Sequence, residues 1–226
     1  MKKCLSLVCL ALLSVAPVFA QNRVFNNPDN KGYWGLRLAG EVTCPGDVKV
    51  LNIGVSTFKN GGGVEFGGIY NIPVVANFYI EPGVKLYYNS YSIKDGFVDN
   101  YEDDYGIESD ISLRKFGMRI PVMAGYHFDI TDNLNLAVFT GPELEIGFSA
   151  KEHAKLSGVK YSESLYGEEG GMNRVDLLWG IGAGVTYRHL YFGISGGIGM
   201  LNMMDDDDTE AKFHENRVSF TVGYNF

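Results

Sequence analysis

Residues 115–130 read KFGMRIPVMAGYHFDI, and their alternation decides the fold. Phe116, Met118, Ile120, Val122, Ala124, Tyr126, Phe128 and Ile130 form one set, all apolar or aromatic. The intervening set, Lys115, Gly117, Arg119, Pro121, Met123, Gly125, His127 and Asp129, is polar, charged or small except at Pro121 and Met123. Side chains of a strand point alternately to opposite faces, so a period of two over sixteen residues predicts one long strand with an apolar and a polar face.

The same period recurs on both sides of this stretch. It predicts eight strands at about 32–43, 62–72, 77–91, 111–130, 134–149, 173–188, 191–203 and 216–226. Residues 48–58 carry Val48, Val50, Ile53 and Val55, which fit a short extra strand or an extension of the first hairpin. The connections alternate too. Those at 73–76, 131–133 and around His189 and Leu190 are short, whereas 44–61, 92–110, 150–172 and 204–215 are long. Short turns on one rim and long loops on the other predict an eight-stranded antiparallel up-and-down transmembrane β-barrel.

Composition agrees with many strands and turns. Of 226 residues 29 are Gly, 14 Tyr and 14 Phe, with only 7 Pro. The formal charge of -8 argues against a nucleic-acid binder that needs a basic face. At the amino terminus Lys2 and Lys3, an apolar stretch from Leu5 to Val15 and the small-x-small pattern of Val18, Phe19 and Ala20 predict a signal peptide over 1–20. A periplasmic segment over 21–31 would follow, and the barrel would occupy 32–226. Cleavage removes two cations and two cysteines, which leaves Cys44 alone and no internal disulfide. Cys44, beside Pro45 and Gly46, reads as an inert turn residue.

Alternation does not say which face points inward, since a soluble barrel of the lipocalin type hides its apolar face and a membrane barrel exposes it. Three features favour the membrane. Within the strand bodies, Arg37, Lys85, Lys115, Arg119, Arg174, Arg188 and Arg217 balance Glu41, Glu65, Glu81, Asp129, Glu143, Glu145 and Asp176. A closed interior requires such pairing, because an unpaired buried charge is strongly unfavourable. Glycines interleaved on that face leave room for long side chains. Aromatics collect on the apolar face near the short-turn rim, at Trp34, Tyr70, Phe78, Tyr126, Phe128, Tyr187, Phe192, Tyr224 and Phe226, as a membrane girdle would. The last strand runs to Phe226, so both ends of the barrel fall on the short-turn, periplasmic side.

Five pieces, YWGLRLAG from Tyr33, RKFGMRIPVMAGYHF from Arg114, NLNLAVFTGPELEIGFS from Asn133, LWGIGAGVTY from Leu178 and RVSFTVGYNF from Arg217, resemble the small outer-membrane β-barrel family of Gram-negative bacteria, the PorT-like or porin-family barrels. The resemblance implies an outer-membrane location and a C-terminal aromatic, Phe226, read by the barrel assembly machinery. It implies function poorly.

Eight strands enclose an interior that side chains can fill, so no open diffusion channel is expected. Function then falls to the loops or the lipid face. The second long loop carries Asp95, Asp99, Glu102, Asp103, Asp104, Glu108 and Asp110, and the fourth carries Asp205, Asp206, Asp207 and Asp208 with Glu210 and Glu215. These runs read first as solvated loops held open by self-repulsion. Their functional alternative is Ca²⁺ or Mg²⁺ bridging to lipopolysaccharide, with Asp205 to Asp208 as ligands. Tyr88, Tyr91, Phe97, Tyr101 and Tyr105 could be contact aromatics or could pack the second loop onto the rim. The expected role is structural or in surface interaction, with outer-membrane lipids and lipopolysaccharide as neighbours and no cofactor. Two alternatives remain. One is a lipid-modifying enzyme using Ser149, Glu152, His153 and Ser157, and the other is narrow porin-like transport.

Overall fold

The structure, a computed structural model, describes residues 32–46, 48–50, 53–55, 59–92, 109–156, 159–167, 171–204 and 213–226. Its strands are β1 (Tyr33–Pro45), β2 (Val48–Val50), β3 (Ile53–Val55), β4 (Gly61–Val75), β5 (Phe78–Ser92), β6 (Ser109–Thr131), β7 (Leu134–Leu156), β8 (Val159–Ser164), β9 (Val175–Tyr187), β10 (Leu190–Gly199) and β11 (Glu215–Asn225). Eight of them, β1, β4, β5, β6, β7, β9, β10 and β11, pair antiparallel with their neighbours in chain order. The ring closes where β1 meets β11, in a seam from Gly35 opposite Asn225 to Pro45 opposite Glu215. It is a closed up-and-down meander, and closure leaves the ring without an unpaired edge.

The short connections are two-residue turns at 76–77, 132–133 and 188–189. Of residues 48–58, those of β2 and β3 pair as a small antiparallel sheet separate from the ring. One element was not legible in the sequence. β6 and β7 run to 23 residues each; β7 continues to Leu156, well past its last pairing with β9 at Ile146, and β8 pairs with that overhanging part of β7 while β6 pairs with its other edge. A three-stranded blade therefore stands above the long-loop rim.

The faces are sorted as a membrane requires. Trp34, Leu36, Phe66, Leu86, Val122, Ile181, Ile194 and Phe220 point outward and are exposed, whereas Lys115 and Arg119 point inward with no exposure at all. Pro121 and Met123, the two exceptions in the polar set of residues 115–130, are also inside, where they pack the lumen wall. Apolar outside and charged inside is the inverse of a soluble barrel.

Candidate functional site: the charged lumen and its two mouths

Strand periodicity places alternate residues of each strand in the lumen, and antiparallel register then stacks them in layers. The central layer is built on Arg119 of β6. Its Nη1 donates to Glu41 of β1 at 2.7 Å and to Glu65 of β4 at 3.0 Å, and its Nε donates to Glu145 of β7 at 2.8 Å. One guanidinium thus ties four strands together, and its planar fork is what permits several carboxylates at once. Arg217 of β11 pairs with Glu143 of β7, and Lys85 of β5 donates to Glu65 at 2.9 Å. Above this layer Lys115 bridges Glu145 at 3.0 Å and Glu215 at 3.1 Å. Tyr87 donates to Glu145 at 2.8 Å and Tyr91 to Glu215 at 3.2 Å. Arg119 also lies 4.1 Å over the Tyr87 ring. Such pairs add little net stability, since desolvation offsets attraction, but loss of one partner leaves a buried uncompensated charge.

The long-loop mouth is plugged by side chains. Tyr166 folds over Gly147, and Met203 and Phe213 are buried as well, linked by Met203 N donating to Phe213 O at 2.9 Å. Burial pushes the Tyr166 hydroxyl above the ordinary phenol range, so it stays protonated. Below the central layer a void of about 40 Å³ is bordered by Arg37, Lys85, Arg217, Glu81, Glu143 and Tyr191, room for a few waters at most. Arg37 closes it from below, stacked 4.1 Å over Tyr191 and donating to Asn225 at 2.8 Å.

The fourteen inward charges read from the sequence do not all lie here. Asp129 and Arg174 are exposed near strand ends, and Arg188 is exposed in a turn at φ 55°, so none of the three belongs to the buried network. Alternation assigns a face but not a height, and these residues are at the rims. Asp176 is buried in the lumen but near the long-loop end, where the Leu201 amide donates to it at 3.3 Å. Glu215, which the sequence places in the fourth long loop, is the first residue of β11 and lies inside. Among the described residues the lumen therefore holds five cations, Arg37, Lys85, Lys115, Arg119 and Arg217. Facing them are seven carboxylates, Glu41, Glu65, Glu81, Glu143, Glu145, Asp176 and Glu215, and the expected neutral balance becomes an acidic one.

The interleaved glycines make room for tyrosines more than for ions. Gly117 lies opposite Tyr87, and a Cβ there would come within 2.4 Å of Ile146 O and 2.8 Å of the Tyr87 ring. Gly117→Ala is expected to destabilise the barrel by about 1–3 kcal/mol, because the ring must leave Glu145 or the strands must part. Urea titration of the protein folded in micelles measures it.

Ser149, Glu152 and His153 are not assembled for catalysis. Ser149 and His153 are four residues apart on one strand, a span of about 13 Å, and Glu152 faces the other way. Ser157 lies outside the described residues, as do Asp205 to Asp208 and the acidic run at 93–108. Tyr91 is buried in the mouth and Tyr88 is on the outer face, so they do not form one contact surface.

Comparison with known proteins settles the family. The model of the outer membrane protein beta-barrel domain matches residues 19–205. The chain belongs to the outer membrane protein beta-barrel domain family. No curated protein matches it in sequence. Among solved structures it is similar to Ail, the attachment invasion locus protein of Yersinia pestis, at 14% identity over 87% of this chain and 99% of that one, with a TM-score of 0.42. Neisserial surface protein A matches at 14% over 86% and 97%, TM-score 0.40, and OprG of Pseudomonas aeruginosa at 9% over 87% and 97%, TM-score 0.45.

Membership in the outer membrane protein beta-barrel domain family puts the apolar outer face in lipid, the short turns in the periplasm and the long loops outside the cell. Near the short-turn rim the aromatic residues of the outer face stand in paired sets. Trp34 lies opposite Tyr70 with ring centroids 4.6 Å apart, Phe78 opposite Tyr126 at 4.8 Å, and Tyr126 against Phe128 at 4.8 Å. Tyr224 and Phe226 meet at 5.1 Å, and Tyr187 and Phe192 are exposed on the same outer face of β9 and β10.

Proposed function

We propose that this outer-membrane barrel is a sealed anchor that presents its extracellular loops and blade for surface interaction, and that no solute diffuses through it. The observation that carries this reading is the filled lumen, with Arg119 gripping Glu41, Glu65 and Glu145 across its centre and Tyr166, Met203 and Phe213 over its mouth. A solute would have to break several charge-assisted hydrogen bonds in succession, each worth more than a neutral one. In this reading lipids and lipopolysaccharide surround the barrel, with divalent cations held by Asp205 to Asp208 bridging to the latter. Phe226 serves the assembly machinery. The aromatic set from Trp34 to Phe226 fixes the depth of the barrel in the bilayer.

Purified protein, folded as judged by a heat-dependent shift in gel migration, is expected to give no conductance above background in planar bilayers. Sustained steps of uniform size would overturn the proposal and favour narrow transport.

A further inference from the structure

The periplasmic mouth, unlike the extracellular one, is open. A cavity of about 90 Å³ is lined there by strand ends and by residues of the turns at 76–77 and 132–133. Its wall is a stacked pair, with the Tyr79 ring 4.2 Å from the imidazole of His127 and 21° from parallel to it. Tyr33 adds a further ring to the lining.

The polar groups of this mouth are already held in place. Asn135 Nδ2 donates to Asp129 Oδ1 at 2.6 Å, and Asn77 Nδ2 donates to Asp129 Oδ2 at 3.2 Å, so the carboxylate is clamped from two strand ends. Asn135 Oδ1 lies 2.9 Å from His127 Nδ1, which therefore donates. His127 Nε2 is left to accept from Asn71 Nδ2 at 3.4 Å. The same Asn71 nitrogen reaches Glu81 at 3.4 Å. The side-chain amide donors of Asn71, Asn77 and Asn135 are thus spent within the mouth, while the Asp129 carboxylate and the aromatic rings line the cavity. No Lys or Arg lines it, whereas Asp129 and Asp132 both do.

A fixed carboxylate beside aromatic faces, with no competing cation, is the chemistry that recognises an ammonium group, through a charge-assisted hydrogen bond and cation–π attraction. We infer that the periplasmic vestibule is a binding site for small aliphatic amines, which it holds by their ammonium group between Asp129 and the stacked rings of Tyr79 and His127. The cavity accommodates a few heavy atoms and opens to solvent, so an unbranched amine enters by one end and leaves the other in water. The site is independent of whether the lumen conducts, because it lies below Arg37 and draws on none of the central network.

The probe is 1,4-diaminobutane, titrated into the full-length protein folded in micelles and followed by backbone amide shifts and calorimetry. Saturable binding is expected, with shifts at Asn77, Tyr79, His127 and Asn135. The neutral isostere 1,4-butanediol is expected to leave these amides unmoved. Asp129→Asn should weaken the diamine by roughly tenfold, equivalent to about 1.4 kcal/mol. Glu163→Gln, on the extracellular blade, should leave it unchanged. Retention of the heat-dependent gel shift verifies that each variant is folded, and the comparison of diamine with diol needs no variant. Absence of saturation, equal binding of the diol, or full affinity in Asp129→Asn would each overturn the assignment.

Discussion

Arg119→Met is expected to cost about 3–5 kcal/mol of barrel stability, the usual penalty for removing one partner of a buried ion pair. The side chain has no exposure and neutralises Glu41, Glu65 and Glu145, contributed by three other strands. Without it these carboxylates stay in a lumen that excess acid already fills, where Lys115 reaches Glu145, Lys85 reaches Glu65, and Glu41 keeps, among the described residues, only the Arg217 cation at 3.9 Å. Urea titration in lipid vesicles, read by the heat-dependent gel shift, measures the loss. Adding Glu41→Gln and Glu65→Gln to Arg119→Met should recover a large part of it, because removing the orphaned charges is less costly than stranding them. A loss under about 1 kcal/mol in the single variant would mean that solvent reaches the layer and the lumen is not sealed.

Ile181→Arg is expected to cost about 2–4 kcal/mol, although Ile181 is 61% exposed on the molecular surface. On a soluble protein, an exposed substitution of this kind usually falls within about 0.5 kcal/mol. The difference is the solvent. Ile181 lies at the middle of β9, opposite Thr140 of β7, and so at the middle of the apolar band. The same change at Tyr161, on the blade, should be nearly neutral, since β8 stands clear of the ring. If both variants cost the same in vesicle unfolding, the depth assigned to β9 is wrong.

Much of this architecture can be read in the chain, and the reason is the period of two. Residues 115–130 place every second side chain on one face, and no other local structure does so. The sign of each face follows from Arg119 and Glu145, which cannot lie in lipid. Height is a different quantity. Asp129, Arg174 and Arg188 satisfy the alternation and still fall at the rims, because the pattern does not mark where the bilayer ends. The partners of Arg119 were not legible either, since they depend on register across four strands. The pairing of Tyr87 with Gly117 is invisible for the same reason. The blade is not legible in the chain because residues 150–164 mix charges of both signs and their alternation is weak.

The periplasmic vestibule illustrates the limit from another side. Asn71, Tyr79, His127 and Asn135 come from four different strands, and nothing in their spacing along the chain links them. Only the closed ring brings them to one mouth.

The seam between β1 and β11 also bears on how the barrel is made. Hydrogen bonds of the central layers join residues far apart in the chain, such as Arg119 with Glu41 across 78 positions, Lys115 with Glu215 across 100, and Tyr91 with Glu215 across 124. None of those that involve β11 can form until the final strand docks. A slip of two residues at the seam would keep every face correct yet displace Glu215 from Lys115 by about 7 Å. Hydrophobic sorting tolerates that error and the ion lattice does not. The buried charges therefore distinguish the native seam from a two-residue slip that the outer apolar face would accept equally well.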